Sequence, residues 1–202
     1  IPREYGGNVI DTVNMALYNY QNDYSAISYI YIPETIKSIT CYTNGLYNLQ
    51  EYIVDKNSKY FKSVDGVLYD ADGYQLIIYP YGKKDESYDV IDGCIGVDAL
   101  FDNSHLKEIN LPSSLTSISE MSFVNAFNLE KINVDSGNRI YKSVDGVVIT
   151  KDGKYLVKLP RGKTGDYTIP NTVTTLISGS IKFPSLTTLT IPTSVTKIYE
   201  SA

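Results

Sequence analysis

The chain of 202 residues has no tryptophan, one histidine, two cysteines and two methionines. Each scarcity excludes something. His105 beside the separated Cys41 and Cys94 cannot furnish the four closely spaced ligands of a structural zinc site. No Gly-x-Ser-x-Gly elbow is present to raise a serine nucleophile. Basic residues are outnumbered, 18 against 23 acidic, for a net charge of −5, and no basic run extends beyond Lys83-Lys84. The footprint that nucleic-acid phosphates require is therefore missing, and no nucleic-acid partner is expected. No apolar run approaches the roughly 18 residues of a membrane helix, so no membrane insertion is expected either. No glycine stands five residues before Gly82-Lys83 or Gly162-Lys163, so neither is a phosphate loop. The opening Ile1-Pro2-Arg3-Glu4 is not a signal peptide, and the missing initiator methionine suggests a piece of a longer protein.

What the chain does have is repetition. An apolar-Pro step followed by apolar residues three and six positions later recurs four times. The copies are Ile32-Pro33 with Ile36 and Ile39, Leu111-Pro112 with Leu115 and Ile118, Ile169-Pro170 with Val173 and Leu176, and Ile191-Pro192 with Val195 and Ile198. Val90-Ile91 with Cys94 and Val97 fits without the proline, and Val54-Asp55 and Val134-Asp135 mark two further units. The proline-equivalent positions step by 22, 36, 21, 23, 35 and 22 residues. A superrepeat of about 80 residues thus holds three short units, one of them enlarged, and periods of this kind predict a solenoid. Before each step the last three positions alternate apolar, polar, apolar, as in Ile109-Asn110-Leu111, which is the strand period. Proline, lacking an N–H, then ends the strand. A segment such as Ser119 to Ala126 follows, read as one helical turn.

The enlarged units share Ser63-Val-Asp65-Gly66-Val-Leu68 and Ser143-Val-Asp145-Gly146-Val-Val148. Aligned on Tyr60 and Tyr141, the second copy is one residue shorter between tyrosine and serine. Both continue through a second turn, Asp72-Gly73 or Asp152-Gly153, to Tyr79-Pro80 or Leu159-Pro160. Asp-Gly between alternating apolar residues is a strong hairpin signal. Each enlarged unit is read as a three-stranded antiparallel meander over residues 60–79 and 141–159, projecting from one side of the solenoid. Asp70-Ala-Asp72-Gly73 lacks the further oxygens and terminal Glu of a calcium loop, so it is read as turn chemistry.

The fold expected is a leucine-rich-repeat-like right-handed solenoid, mostly β. It has one parallel sheet of about seven strands ending near 32, 54, 90, 111, 134, 169 and 191, short helical turns and two antiparallel meander insertions. Residues 29–202 form one continuous domain, and 1–28 an N-terminal cap or degenerate repeat with a short helix over 11–20. Cys41 and Cys94 lie two strands apart, about 10 Å at the 4.8 Å strand spacing, beyond the 7 Å that a disulfide spans, so two free thiols are expected.

These units resemble the BspA-type leucine-rich repeats of bacterial surface proteins, whose unit runs Leu-x-x-Ile-x-Ile-Pro-x-Ser-Val-Thr-x-Ile. The clearest matches are Leu186 to Ala202 and Leu106 to Phe123; the enlarged units, with Tyr-Pro-x-Gly-Lys at Tyr79 to Lys83, recur in that family too. The resemblance implies a secreted or cell-surface module, non-catalytic and without a cofactor. Its candidate binding face is the outward side of the strands: Tyr29, Tyr31, Glu51, Ile53, Asp89, Glu108, Asn110, Lys131, Asn133, Thr168, Thr188 and Thr190. The expected partner is an extracellular protein, with the chain a monomer. Two alternatives stay open: a glycan stacked on exposed tyrosines, of which the chain has 19, and a passive spacer.

Overall fold

The computed structural model describes residues 1–5, 7–16, 26–42, 46–100, 105–182 and 185–202. The chain coils as a solenoid with two walls of parallel strands. The first wall contains the seven expected strands: Tyr29–Ile32, Glu51–Val54, Ser87–Asp89, Glu108–Leu111, Lys131–Val134, Thr164–Thr168 and Ser185–Thr190. Their ends fall within one residue of the positions expected. Proline closes the turn after four of them, with Ile36 N donating to Pro33 O at 3.2 Å and Leu115 N to Pro112 O at 3.2 Å. Aspartate substitutes in the enlarged units. Asp55 accepts from Asn57 N through its carboxylate at 2.9 Å and from Ser58 N through its carbonyl at 2.9 Å. Asp135 does the same with Gly137 and Asn138, at 2.7 and 3.0 Å. A side-chain acceptor thus shapes the turn that proline shapes elsewhere.

The second wall departs from expectation. The second apolar residue after each proline or its equivalent, Ile39, Val97, Ile118, Leu176 and Ile198, lies on a strand of its own: Ser38–Tyr42, Gly96–Leu100, Ser117–Ile118, Thr175–Leu176 and Lys197–Ile198. Thr12–Ala16, inside the expected helix, is also a strand, pairing parallel with Ser38–Tyr42; residues 17–20 lie outside the described part. Among the described residues there is no helix. Ser119 to Ala126 is a run of turns, closed by Ser122 N to Ser119 O at 3.0 Å and Ala126 N to Phe123 O at 3.2 Å.

The meanders are present, over Phe61–Val64, Val67–Asp70 and Gln75–Ile78, and over Tyr141–Val144, Val147–Thr150 and Tyr155–Lys158. Asp65-Gly66 and Asp145-Gly146 take positive φ at both residues, as the tight hairpin requires. The offset between the copies is 80 residues throughout, without the one-residue gap expected. Phe61 therefore matches Tyr141, and Ser58 matches Asn138, each accepting from backbone N–H groups two and three residues on.

The meanders do not project. Their middle strands are buried on both sides and cross the core as partitions. Leu68 packs with Ile32, Ile36, Leu49 and Tyr52 in an N-terminal compartment, whereas Val67 and Tyr69 face a central one with Tyr88, Ile109 and Leu111. Val148 closes that central compartment, and Val147 and Ile149 face a C-terminal one with Ile169, Val173 and Leu176. Burying apolar side chains is the main stabilising term, and a strand apolar on both faces gains most when placed between two cores. The third strand of each meander then joins the second wall, Gln75–Ile78 pairing parallel with Gly96–Leu100 and Tyr155–Lys158 with Thr175–Leu176.

Candidate functional site

The alternation of the first wall puts the candidate face toward solvent. On its first strand Ile30 and Ile32 are buried, while Tyr29 and Tyr31 are 58% and 38% exposed, so the register is the expected one. The other outward residues are exposed (Glu51, Ile53, Asp89, Lys131, Thr168, Thr188, Thr190) or half-buried (Glu108, Asn110, Asn133). They do not form one unbroken sheet. The wall is hydrogen-bonded in blocks of two, three and two strands. At each break the meander's Asp-Gly turn stands where the next strand would, with Tyr52 N donating to Gly66 O and Ile132 N to Gly146 O, both at 2.8 Å. A Cβ on Gly66 would lie 2.7 Å from Cβ of Glu51, and one on Gly146 would lie 3.0 Å from Cα of Lys131, so close approach as well as positive φ demands glycine there.

The breaks sort the candidates into three patches. In the first, Tyr29 stands beside Glu51 and Tyr31 beside Ile53. Tyr31 is tied down: its hydroxyl donates to Asp55 Oδ2 at 2.5 Å, and its carbonyl accepts from the Ile1 amine at 3.1 Å. Arg3 bridges Asp55 at 3.3 Å and Glu34 at 2.9 Å. The Tyr31 hydroxyl and the Asn57 N–H, together with Arg3, hold the Asp55 carboxyl down at about 2. Tyr29 keeps its ring open to solvent.

The second patch is a polar ladder. Asp89, Asn110 and Asn133 stand in register across three strands. Asn110 Nδ2 donates to Asp89 Oδ1 at 2.6 Å, and Asn133 Nδ2 donates to Asn110 Oδ1 at 2.8 Å and to Glu108 Oε1 at 2.6 Å. With Asp92, Pro112 and Asp135 the ladder lines a shallow depression of about 330 Å³. The carboxylates are oriented by amides, so the patch offers fixed acceptors to an incoming donor. The third patch carries Thr168 beside Thr190, and Thr188 beside Asp166. Asp166, and Ser87 beside Glu108, also belong to the face by register. Counting two residues back from Thr168 and Asp89 would have found both.

Among the described residues no group of three or more His, Cys, Asp or Glu could hold a metal. Cys94 is a buried free thiol, its pKa pushed up by burial, with Gly96 O 3.3 Å from its sulfur. Cys41 lies in Ser38–Tyr42, and its side chain is outside the described part. The exposed Tyr47 ring meets the half-buried Tyr81 edge to face, at 5.0 Å and 80°, rather than as a coplanar platform. Among the described residues no helix is long and apolar enough to cross a membrane.

Comparison with known proteins agrees with this architecture. Residues 94–144 and 162–202 match the BspA type leucine rich repeat region, in six copies. A leucine-rich repeat protein from Eubacterium ventriosum superposes with a TM-score of 0.60 at 25% identity, over 96% of this chain and 48% of that one. The pneumococcal vaccine antigen PcpA superposes at 0.53 with 21% identity, over 98% and 55%. A leucine rich cell surface protein from Faecalibacterium prausnitzii does so at 0.51 with 20% identity, over 82% and 48%. The chain thus spans about half the length of these structures. A search of curated protein sequences found no match.

Proposed function

Since residues 94–144 and 162–202 are BspA-type leucine-rich repeats and the other coils continue the same stack, we propose that the chain is a non-catalytic module that binds an extracellular protein at the bacterial cell surface. One observation carries the reading. Inward positions of the first wall are apolar, and buried or half-buried as far as the last strand, while outward positions change from aromatic through carboxylate and amide to hydroxyl along the stack. Packing fixes the first set and leaves the second free for recognition, the usual use of a solenoid surface. Tyr29 is the preferred anchor, because an exposed ring gives contact area at low entropic cost. The surface setting is supported by the description of one structural relative as a cell surface protein. The chain acts as a monomer in this reading.

The test is an array of extracellular proteins and glycans probed with the chain and with three variants: Tyr29→Ser with Tyr31→Ser, Asp89→Lys with Asn110→Lys, and Thr188→Lys with Thr190→Lys. At least one folded variant should lose a protein ligand that the parent binds. Full binding by all three would remove the face from the mechanism, and a glycan ligand lost with Tyr29 would replace the protein partner.

A further inference from the structure

The chain holds five Asp-Gly steps, and the fold treats one of them differently. At Asp65-Gly66, Asp72-Gly73, Asp145-Gly146 and Asp152-Gly153 the glycine is buried or half-buried in a meander turn. Each is hemmed in by a neighbour: Glu51 at Gly66, Lys62 at Gly73, Lys131 at Gly146 and Thr172 at Gly153. Gly66 O and Gly146 O accept from the first wall at 2.8 Å, while Gly73 N donates to Asp70 O at 3.1 Å and Gly153 N to Thr150 O at 2.8 Å. Two of the carboxylates are tied as well, Asp145 to Lys163 at 2.9 Å and Asp152 to Lys154 N at 3.0 Å. Asp92-Gly93 lacks these restraints. It makes the turn after Ser87–Asp89, closed by Cys94 N donating to Ile91 O at 3.2 Å. Both residues are exposed, and a Cβ on Gly93, at φ +87°, would meet no heavy atom within 4 Å. Among the described residues no group hydrogen-bonds the Gly93 N–H or the Asp92 carboxylate.

We propose that Asp92 is a site of spontaneous isoaspartate formation, set apart from the other four by the fold. The Gly93 nitrogen attacks Cγ of Asp92. The N–Cγ bond forms and a Cγ–O bond breaks, and the oxygen leaves as water, taking up the N–H proton. Water then opens the succinimide ring. Cleavage at Cγ restores aspartate. Cleavage at the Asp92 backbone carbonyl leaves the chain running through Cβ and Cγ and frees the α-carboxylate, so the charge is unchanged and the backbone is one methylene longer. The first step requires the Gly93 peptide to swing toward the side chain. A glycine without neighbours permits that swing, and the packed turns must open locally before it can occur. The added methylene enters the turn that Cys94 N closes. Asp92 also lines the depression beside Asp89, Asn110 and Asn133, so conversion reshapes the second patch. The effect on a partner rests on the reading of that face as a binding surface, whereas the conversion itself does not.

The experiment keeps the full chain for weeks in neutral buffer, folded in one arm and unfolded in urea in the other. Both are digested, and isoaspartyl peptides are separated and sequenced by electron-transfer fragmentation. Asn44-Gly45, outside the described part, changes mass on deamidation and is scored apart. In the folded arm Asp92 should convert about tenfold or more faster than each of the other four aspartates, since local opening limits the protected turns. In urea the five rates should draw together. Equal rates in the folded arm, or a lead of Asp92 that persists undiminished in urea, would overturn the proposal. In the converted fraction the side-chain amide signals of Asn110 and Asn133 should shift while the Thr188 N–H stays in place. Unshifted amides would overturn the reshaping of the patch. These readouts use no ligand, so they stand or fall apart from the binding reading.

Discussion

The two meanders share a backbone and differ in what fills it. Both turn on Asp-Gly, and both tie the turn's flank to the first wall, Ser63 Oγ donating to Tyr52 O at 2.5 Å and Ser143 Oγ to Ile132 O at 2.8 Å. Around the first, Tyr69 and Tyr88 share a hydroxyl hydrogen bond of 2.7 Å, and the Tyr79 ring meets Tyr88 edge-on at 5.2 Å. In the second, Ile149 and Leu159 stand where Tyr69 and Tyr79 do. The second compensates with a charge: Lys158 replaces Ile78, and its buried ammonium donates to Glu120 O at 2.8 Å and Gly179 O at 2.9 Å. These two carbonyls belong to the coils on either side. Backbone devices are thus kept where geometry is strict, and the filling varies where only volume and hydrogen-bond satisfaction matter.

The largest effect should come from emptying a partition. Leu68→Ala removes a fully buried side chain from the middle of the first meander and should cost about 2–5 kcal/mol. Leu111→Ala, in the central compartment next to the second meander, should fall in the same range. Denaturant midpoints measure both, and an unchanged midpoint for Leu68→Ala would mean that the meander is not a partition. Next comes the tyrosine pair. Tyr69→Phe leaves the Tyr88 hydroxyl without this partner and should cost about 1–3 kcal/mol, whereas Tyr69→Phe with Tyr88→Phe should cost less than the two single changes summed. A strictly additive double mutant would deny the coupling.

Lys158 gives a pH signature that the first meander lacks. Burial lowers its pKa to about 8, with Lys182 adding to the shift. The unfolded chain holds this proton up to the ordinary lysine range of about 10.4, so between pH 8 and that range the unfolded state binds more protons than the folded one. Stability therefore rises with pH from about 8 upward, and below that the cost of the buried charge is fully present. Above about pH 10 the buried tyrosines act oppositely, since burial raises the Tyr69 pKa to about 12 and the unfolded chain ionises first. Melting curves between about pH 7.5 and 9.5 should show the rise in the parent and not in Lys158→Met. A parallel pH dependence in the two would sink the assignment.

The first wall was legible in the sequence because the period of two marks each strand directly and proline ends four of the seven. The second wall was not, because several of its strands contribute only two residues, such as Ser117–Ile118 and Thr175–Leu176, and so short a stretch carries no period. The meander turns were legible from Asp-Gly, yet their depth was not: Val67-Leu68-Tyr69 is apolar without alternation, the mark of a strand covered on both faces. The outward residues of the candidate face followed from alternation, while its division into three patches required knowing where Gly66 and Gly146 end up.

The smallest effect should come from the tether at the first patch. Asp55 is held at about 2 chiefly because the Tyr31 hydroxyl donates to it. Tyr31→Phe removes that donor while leaving the Asn57 N–H and Arg3, so the Asp55 pKa should rise toward the ordinary carboxylate range. The sign follows from the depressed value: the stabilisation is present above the unfolded pKa of about 3.9 and is lost as pH falls through the folded one. The Tyr31→Phe chain should therefore be slightly less stable than the parent at neutral pH, with the gap closing as the pH falls through this window. The gap is small because the Asn57 N–H and Arg3 still hold the carboxylate after the hydroxyl is lost. Carbon-detected NMR titration of the Asp55 carboxyl reads the shift directly. If the Asp55 midpoint stays put in Tyr31→Phe, Arg3 and the turn amide hold the carboxylate alone. Tyr31 is then as free as Tyr29 to meet a ligand.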